Sequence, residues 1–157
     1  MNQTVYFLDA SALVKRYAIE QGSAWVARIT APEAENTIAI AQITLAEVAA
    51  ALAGKLRGQI ISADEFEKAV EDLLRDAFET FTLVEIDQHV IKRAVAVVRR
   101  HSLRGYDAVQ LACGLMLNDT LVAAEELPII FVTADKSLLD AARAEGLMTE
   151  DPNDQPE

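Results

Sequence analysis

Short apolar runs alternate with longer stretches of helical periodicity along this chain. Val5-Tyr6-Phe7-Leu8 is rich in strand formers and is cut off by Asp9-Ala10-Ser11. It therefore predicts a buried strand running into a helix from Ser11 to about Ile19. Trp25, Val26 and Ile29 share one helical face and predict a helix over 23–30, closed by the loop at Pro32. Thr37 to Ile40 reads as a second strand, and 44–56 as an alanine-rich helix weakened by Gly54 and Gly58. Ser62-Ala63-Asp64-Glu65 has the form of a capping box, opening a helix that reaches Phe78.

A third strand is expected at Thr82–Ile86, followed by a helix capped by Asp87 and ending near Arg100. A long helix then starts at Tyr106; its last part, 118–127, reads as broken or as a separate helix. Ile129 to Thr133 has the strongest strand character, and Asp135 caps a helix that Gly146 stops. Leu147 to Pro152 makes a poor strand, and residues 151–157 read as an acidic, flexible tail. Strands alternating with helices predict an α/β fold, a mainly parallel sheet covered by helices on both faces. At 157 residues one domain over 1–150 is expected.

Composition narrows the setting. No apolar stretch approaches the roughly 20 residues a membrane helix needs, and residues 1–8 lack the basic start of a signal peptide. A cytoplasmic protein is expected, with no membrane partner. Cys113 is the sole cysteine, which excludes an internal disulfide and suits a buried thiol. The net charge of −11 argues against non-specific binding to nucleic acid. Its distribution matters more than its sum. Residues 62–80 and 145–157 carry most of the excess acid, leaving the rest of the chain close to neutral. A local phosphate-binding site is therefore compatible with the charge. Lys15, Arg16, Arg104 and Lys136 lie near the acids considered next; Lys15, Arg104 and Lys136 are the candidate phosphate contacts.

Four acids interrupt apolar or small-residue stretches: Asp9, Glu47, Asp107 and Asp135. Asp9 and Asp135 fall just past predicted strands, at the sheet edge where ligands bind in such folds. Singly, the aspartates can be helix caps or first-turn acids. Glu47 is harder to explain so, because its neighbours are apolar on nearly every side. Several buried carboxylates together need compensation, and a divalent cation with oxygen ligands, Mg²⁺ or Mn²⁺, supplies it. Such a site activates water against phosphate esters without a side-chain nucleophile. Ser11 and Thr133 add hydroxyls nearby. His89 and His101 lie apart from the acids in sequence, and neither a glycine-rich phosphate loop nor a zinc-ligand cluster occurs.

These segments carry a family resemblance. Leu8-Asp9-Ala10-Ser11-Ala12-Leu13-Val14-Lys15-Arg16-Tyr17 resembles the opening motif of PIN-domain ribonucleases, in particular VapC-type toxins of toxin–antitoxin pairs. Thr44-Leu45-Ala46-Glu47-Val48, Tyr106-Asp107-Ala108-Val109-Gln110-Leu111-Ala112 and Phe131-Val132-Thr133-Ala134-Asp135 are similar to the second, third and fourth motifs. The match spans about residues 4–148, with all four motifs in order. The resemblance implies a three-layer α/β/α PIN fold and a Mg²⁺- or Mn²⁺-dependent endoribonuclease. It also implies an RNA substrate, a cognate antitoxin and a homodimer. On this match Asp9, Glu47, Asp107 and Asp135 form the catalytic metal cluster, with Ser11 and Thr133 in support.

Three other readings use the same acids. A haloacid-dehalogenase-like phosphatase needs Asp where Ser11 stands. A receiver domain needs a strand-end lysine opposite its acceptor aspartate, whereas Lys136 directly follows Asp135. A catalytically silent PIN-like binding or regulatory module remains the principal alternative.

Overall fold

The computed structural model describes residues 3–157, so the first two residues of the expected domain lie outside the described residues. Five strands form one sheet: β1 (Val5–Leu8), β2 (Thr37–Ala41), β3 (Thr82–Val84), β4 (Ile130–Val132) and β5 (Met148–Glu150). Their order is β3-β2-β1-β4-β5, and all four pairings are parallel. Among the described residues seven α-helices connect and cover them: α1 (Ala10–Leu13), α2 (Ser23–Thr30), α3 (Thr44–Arg57), α4 (Ala63–Glu79), α5 (Gln88–Arg100), α6 (Gly105–Ala123) and α7 (Lys136–Ala144). The three-layer α/β/α arrangement expected from the alternation is the one observed.

Side-chain alternation along the strands builds two cores. Phe7 and Phe131 face α5, α6 and α7, and their rings stack with centroids 5.4 Å apart. Leu8, Ile40 and Val132 point to the other face, where they meet α1, α2, α3 and α4 through Leu13, Val26, Val48 and Leu73. A row of fully buried apolar side chains on each face accounts for the near-continuous apolar runs of β1, β2 and β4. Gly114 marks the tightest approach between α6 and the sheet: a Cβ there would lie 2.8 Å from the Phe131 ring.

The chain builds β1, β2 and β3 outward in one direction, then crosses back to place β4 and β5 on the other side of β1. The strand order therefore reverses between β1 and β4. Helix α1 leaves β1 towards one face and α7 leaves β4 towards the other, as their buried residues show. A crevice opens between diverging helices at such a switch point.

Several local expectations are corrected. The first helix is shorter than predicted: α1 ends at Leu13 and continues as a 3₁₀ turn, Val14–Arg16. Residues 118–123 continue α6 without a break, and the helix ends in a turn with Glu125 at φ 60°. The poor strand near 148 is real, pairing Met148, Thr149 and Glu150 with Ile130, Phe131 and Val132. An edge strand needs only one hydrogen-bonded neighbour and leaves its outer side solvated, so weak hydrophobicity is no obstacle there. The terminal residues are laid against α2. Pro152 is buried over Gly22, Gln21 donates to the Asn153 carbonyl at 3.0 Å, and Arg28 donates to the Pro156 carbonyl at 3.3 Å.

Candidate active site

Asp9 and Thr133 emerge side by side from the ends of β1 and β4, whose last paired residues are Leu8 and Val132. The Asp9 amide extends that pairing, donating to the Val132 carbonyl at 3.1 Å. Asp9 is 4% exposed, and both its oxygens are held. Ser11 Oγ donates to Oδ1 at 2.7 Å, the Ala12 amide to the same oxygen at 3.0 Å, and Thr133 Oγ1 to Oδ2 at 2.6 Å. The two hydroxyls are themselves fixed by the loop after β4. Ser11 Oγ accepts from the Ala134 amide at 2.9 Å, and Thr133 Oγ1 from the Asp135 amide at 3.1 Å. Each hydroxyl has one proton to give. With both committed to Asp9, the 3.3 Å separation between Ser11 Oγ and Thr133 Oγ1 is a contact rather than a third bond.

The bland role of two acids is also present. Asp9 caps α1, and Asp135 caps α7 by accepting from the Leu138 amide at 3.0 Å. Capping does not account for the burial of Asp9, nor for the other two acids. Glu47 and Asp107 each sit in the first turn of a long helix, α3 and α6, without capping it. Both are half-buried. Glu47 accepts from Gln110 Nε2 at 2.9 Å.

Electrostatics tie the four together. Burial pushes the Asp9 carboxyl up to about 6, outweighing the three hydrogen bonds that favour its charge; the nearby Asp107 adds to the rise. Burial also raises Glu47 against the opposing bond from Gln110, again with Asp107 contributing. Asp107 is raised by burial and by Asp135, while Arg104 opposes the shift. Asp107 thus feels or repels each of the other three. Among the described residues every ion pair lies elsewhere, and none neutralises these four carboxylates.

Negative charge without an internal partner, presented by oxygen donors alone, fits a hard divalent cation. Among the described residues no three acidic, histidine or cysteine side chains are gathered closely enough to enclose one. The four are neighbours in field rather than a closed cage. Mutual repulsion of uncompensated carboxylates favours such spacing.

The basic candidates separate. Lys15 is corrected: it is 5% exposed, and its Nζ donates to Glu20 Oε1 at 2.9 Å and to the Gln21 carbonyl at 2.7 Å. It braces the segment after α1 instead of facing phosphate. Arg16 is likewise engaged, with Asp76 at 3.0 Å and with Thr30. Arg104 and Lys136 are exposed next to Asp107 and Asp135; Arg104 Nη1 donates to the Tyr106 hydroxyl at 3.1 Å. His89 is exposed, and His101 meets Glu145 at 3.1 Å, away from the four acids. Cys113 is buried, and burial lifts its thiol to about 12. Gln110 is the polar site residue that sequence reasoning missed. A signal existed: it is the one strongly polar residue between Ala108 and Leu117, three positions after Asp107.

Comparison with known proteins identifies the family. The PIN-domain family model matches residues 6–144. Ribonucleases VapC45 and VapC49 of Mycobacterium tuberculosis are each 34% identical over 115 residues, 73% of this chain and 77% of theirs. Among solved structures, FitAcB from Neisseria gonorrhoeae superposes with a TM-score of 0.65 at 13% identity, covering 97% of this chain and 100% of that one. VapBC2 from Rickettsia felis, bound to a DNA fragment from their promoter, gives 0.61 at 15% identity over 94% and 98%. At such identities the structures show a shared fold. With a family model spanning most of its length and VapC relatives at that identity, the chain belongs to the PIN-domain family, among its VapC-type members.

Proposed function

We propose that the chain is a metal-dependent endoribonuclease, the toxin of a toxin–antitoxin pair, acting in the cytoplasm through the acids at the β1/β4 crevice. The observation that carries the reading is the buried Asp9 carboxylate, held by two hydroxyls beside three further acids and without a cation of its own. The VapC relatives are named ribonucleases, and solved neighbours include a toxin–antitoxin complex from Klebsiella pneumoniae.

Asp9, Glu47, Asp107 and Asp135 are the residues that would hold Mg²⁺ or Mn²⁺. When bound, the cation lowers the pKa of water and neutralises charge on the phosphodiester. The chain supplies placement. Ser11 and Thr133 prevent the Asp9 carboxylate from turning, and Gln110 does the same for Glu47. Arg104 and Lys136, exposed beside the acids, would take the phosphates flanking the cleaved bond. The net acidity of the chain, −11 overall, limits this grip and favours a narrow range of RNA targets over general RNA binding.

The implied homodimer has a candidate surface on α5. Ile91, Val95 and Val98 recur at helical spacing and are 45%, 58% and 45% exposed. The chain is read as one domain, with the sequence-based bounds 1–150. A silent PIN-like module is the alternative, and no residue of the acid set is missing to favour it. Incubation of the purified protein with total tRNA and ribosomal RNA tests the reading. Cleavage with Mn²⁺ or Mg²⁺ that stops in EDTA supports it; intact RNA throughout supports the silent module.

A further inference from the structure

The Gln110 side chain is 1% exposed, on a helix whose neighbouring buried residues are all apolar. Burying a primary amide costs free energy unless its donors and acceptor are used. Its two N–H groups are used, and both go to α3: Nε2 donates to Thr44 Oγ1 at 2.7 Å and to Glu47 Oε1 at 2.9 Å. Its Oε1 is buried and has no partner among the described residues. The amide thus accepts an unsatisfied oxygen in order to place both protons on one turn of α3.

The spacing explains which side chains this joins. Asp107 and Gln110 are three residues apart on α6, and Thr44 and Glu47 are three apart on α3, so each pair shares a helical face. Helix α6 packs in one core and α3 in the other. The Gln110 amide spans the two layers beside the sheet edge and ties one acid-bearing helical turn to another. Among the described residues Glu47 accepts no other side-chain hydrogen bond; it is half-buried and free of any other tether that would keep it from turning away from Asp107. Metal affinity depends on such fixation of a ligand by an outer partner.

We infer that Gln110 is a positioning residue, fixing the Glu47 carboxylate relative to Asp107 so that the two act on one cation. This rests on the metal-dependent reading above and extends it to a residue outside the acid set. Thr44 serves the other end of the clamp, as a buried acceptor that orients the amide.

The test is Mn²⁺ binding to the metal-free full chain, by calorimetry, for wild type, Gln110→Met, Glu47→Gln and the double variant. Gln110→Met keeps an unbranched side chain of similar length, and Gln110→Leu is the second choice should it fold poorly. Expected is a roughly tenfold weaker Kd for Gln110→Met and no further weakening when it is added to Glu47→Gln. Val97→Ala, a truncation in the core on α5, which carries none of the acids, is the control for stability alone. It should lower Tm while leaving the Mn²⁺ Kd within about twofold of wild type. Equal weakening by Gln110→Met in both backgrounds would assign it a merely structural role and overturn the inference. Wild-type affinity in Gln110→Met would do the same. Wild type that binds no Mn²⁺ would overturn the metal-dependent reading along with it, so the two failures are told apart by the wild-type measurement.

Discussion

Thr133 Oγ1 donates to Asp9 Oδ2 at 2.6 Å across adjacent parallel strands. The bond joins residues 124 positions apart in sequence, so it exists only when β1 and β4 are paired and both end at the same level. Together with the Ser11 bond it makes Asp9 the most constrained of the four acids. Its environment is also the most costly for a charge.

Replacing Thr133 by Val keeps the shape and removes that donor. The Asp9 carboxylate then loses one of its three hydrogen bonds in a buried place, and the Asp135 amide loses its acceptor. Hydrogen bonds to charged groups contribute about 1.5–3 kcal/mol, so Thr133→Val should lower the free energy of unfolding by about 2 kcal/mol. Denaturant unfolding reads this directly. RNA cleavage should fall in the same variant, since Asp9 Oδ2 then lacks the donor that fixes it.

The pH dependence has a definite sign. Asp9 ionises at about 6 in the folded chain against an ordinary 3.8, so the folded state holds its proton longer than the unfolded state does. Its contribution is therefore most favourable below the unfolded value and is lost as pH rises through the folded one. In EDTA the wild type should lose stability relative to Asp9→Asn as pH rises from about 3.5 to about 7, by up to about 3 kcal/mol. Millimolar Mg²⁺ or Mn²⁺ near neutrality should restore it in the wild type and not in the variant. Parallel stability curves for the two proteins would contradict the assignment.

The basic residues should divide by role. Lys15→Ala removes a buried cation that bonds Glu20 and a backbone carbonyl, and should cost about 1–3 kcal/mol of stability. Arg104→Ala and Lys136→Ala should leave the unfolding midpoint nearly unchanged and weaken RNA binding instead. Each should also reduce the salt dependence of that binding by nearly one counterion. Fluorescence anisotropy at several salt concentrations, with Ca²⁺ replacing the active metals, separates the two classes.

Gly114→Ala is a packing prediction. Alanine is the better helix former by about 1 kcal/mol, yet its Cβ would meet Phe131 Cδ2 at 2.8 Å. Phe131 cannot retreat, because its ring is stacked on Phe7 and fully buried. Overpacking should prevail, with a net loss of about 1–3 kcal/mol in thermal or denaturant unfolding.

The site was legible in the sequence where local pattern and site coincide. Asp9 and Asp135 end apolar strand runs, so their place at one edge follows from parallel order alone. Glu47 stood out because its neighbours are apolar. Lys15 misled because its distance in sequence from Asp9 says nothing of direction. The chain turns into a 3₁₀ segment after Leu13, which carries Lys15 inward to Glu20 and the Gln21 carbonyl. Strand β5 was obscured because edge pairing draws on backbone hydrogen bonds more than on apolar side chains. Gln110 carried a visible signal, one amide in an apolar helix, but its partners Thr44 and Glu47 lie more than sixty residues away. Only the packed helices reveal them.

The most direct test compares wild type with Asp9→Asn, each shown to be folded by circular dichroism, on total tRNA and ribosomal RNA with Mg²⁺, Mn²⁺ or EDTA. Cleavage by the wild type only with metal, and near-complete loss of cleavage in the variant, is the predicted result. Equal cleavage by the two proteins, or cleavage that persists in EDTA, would contradict the carboxylate site at the β1/β4 crevice.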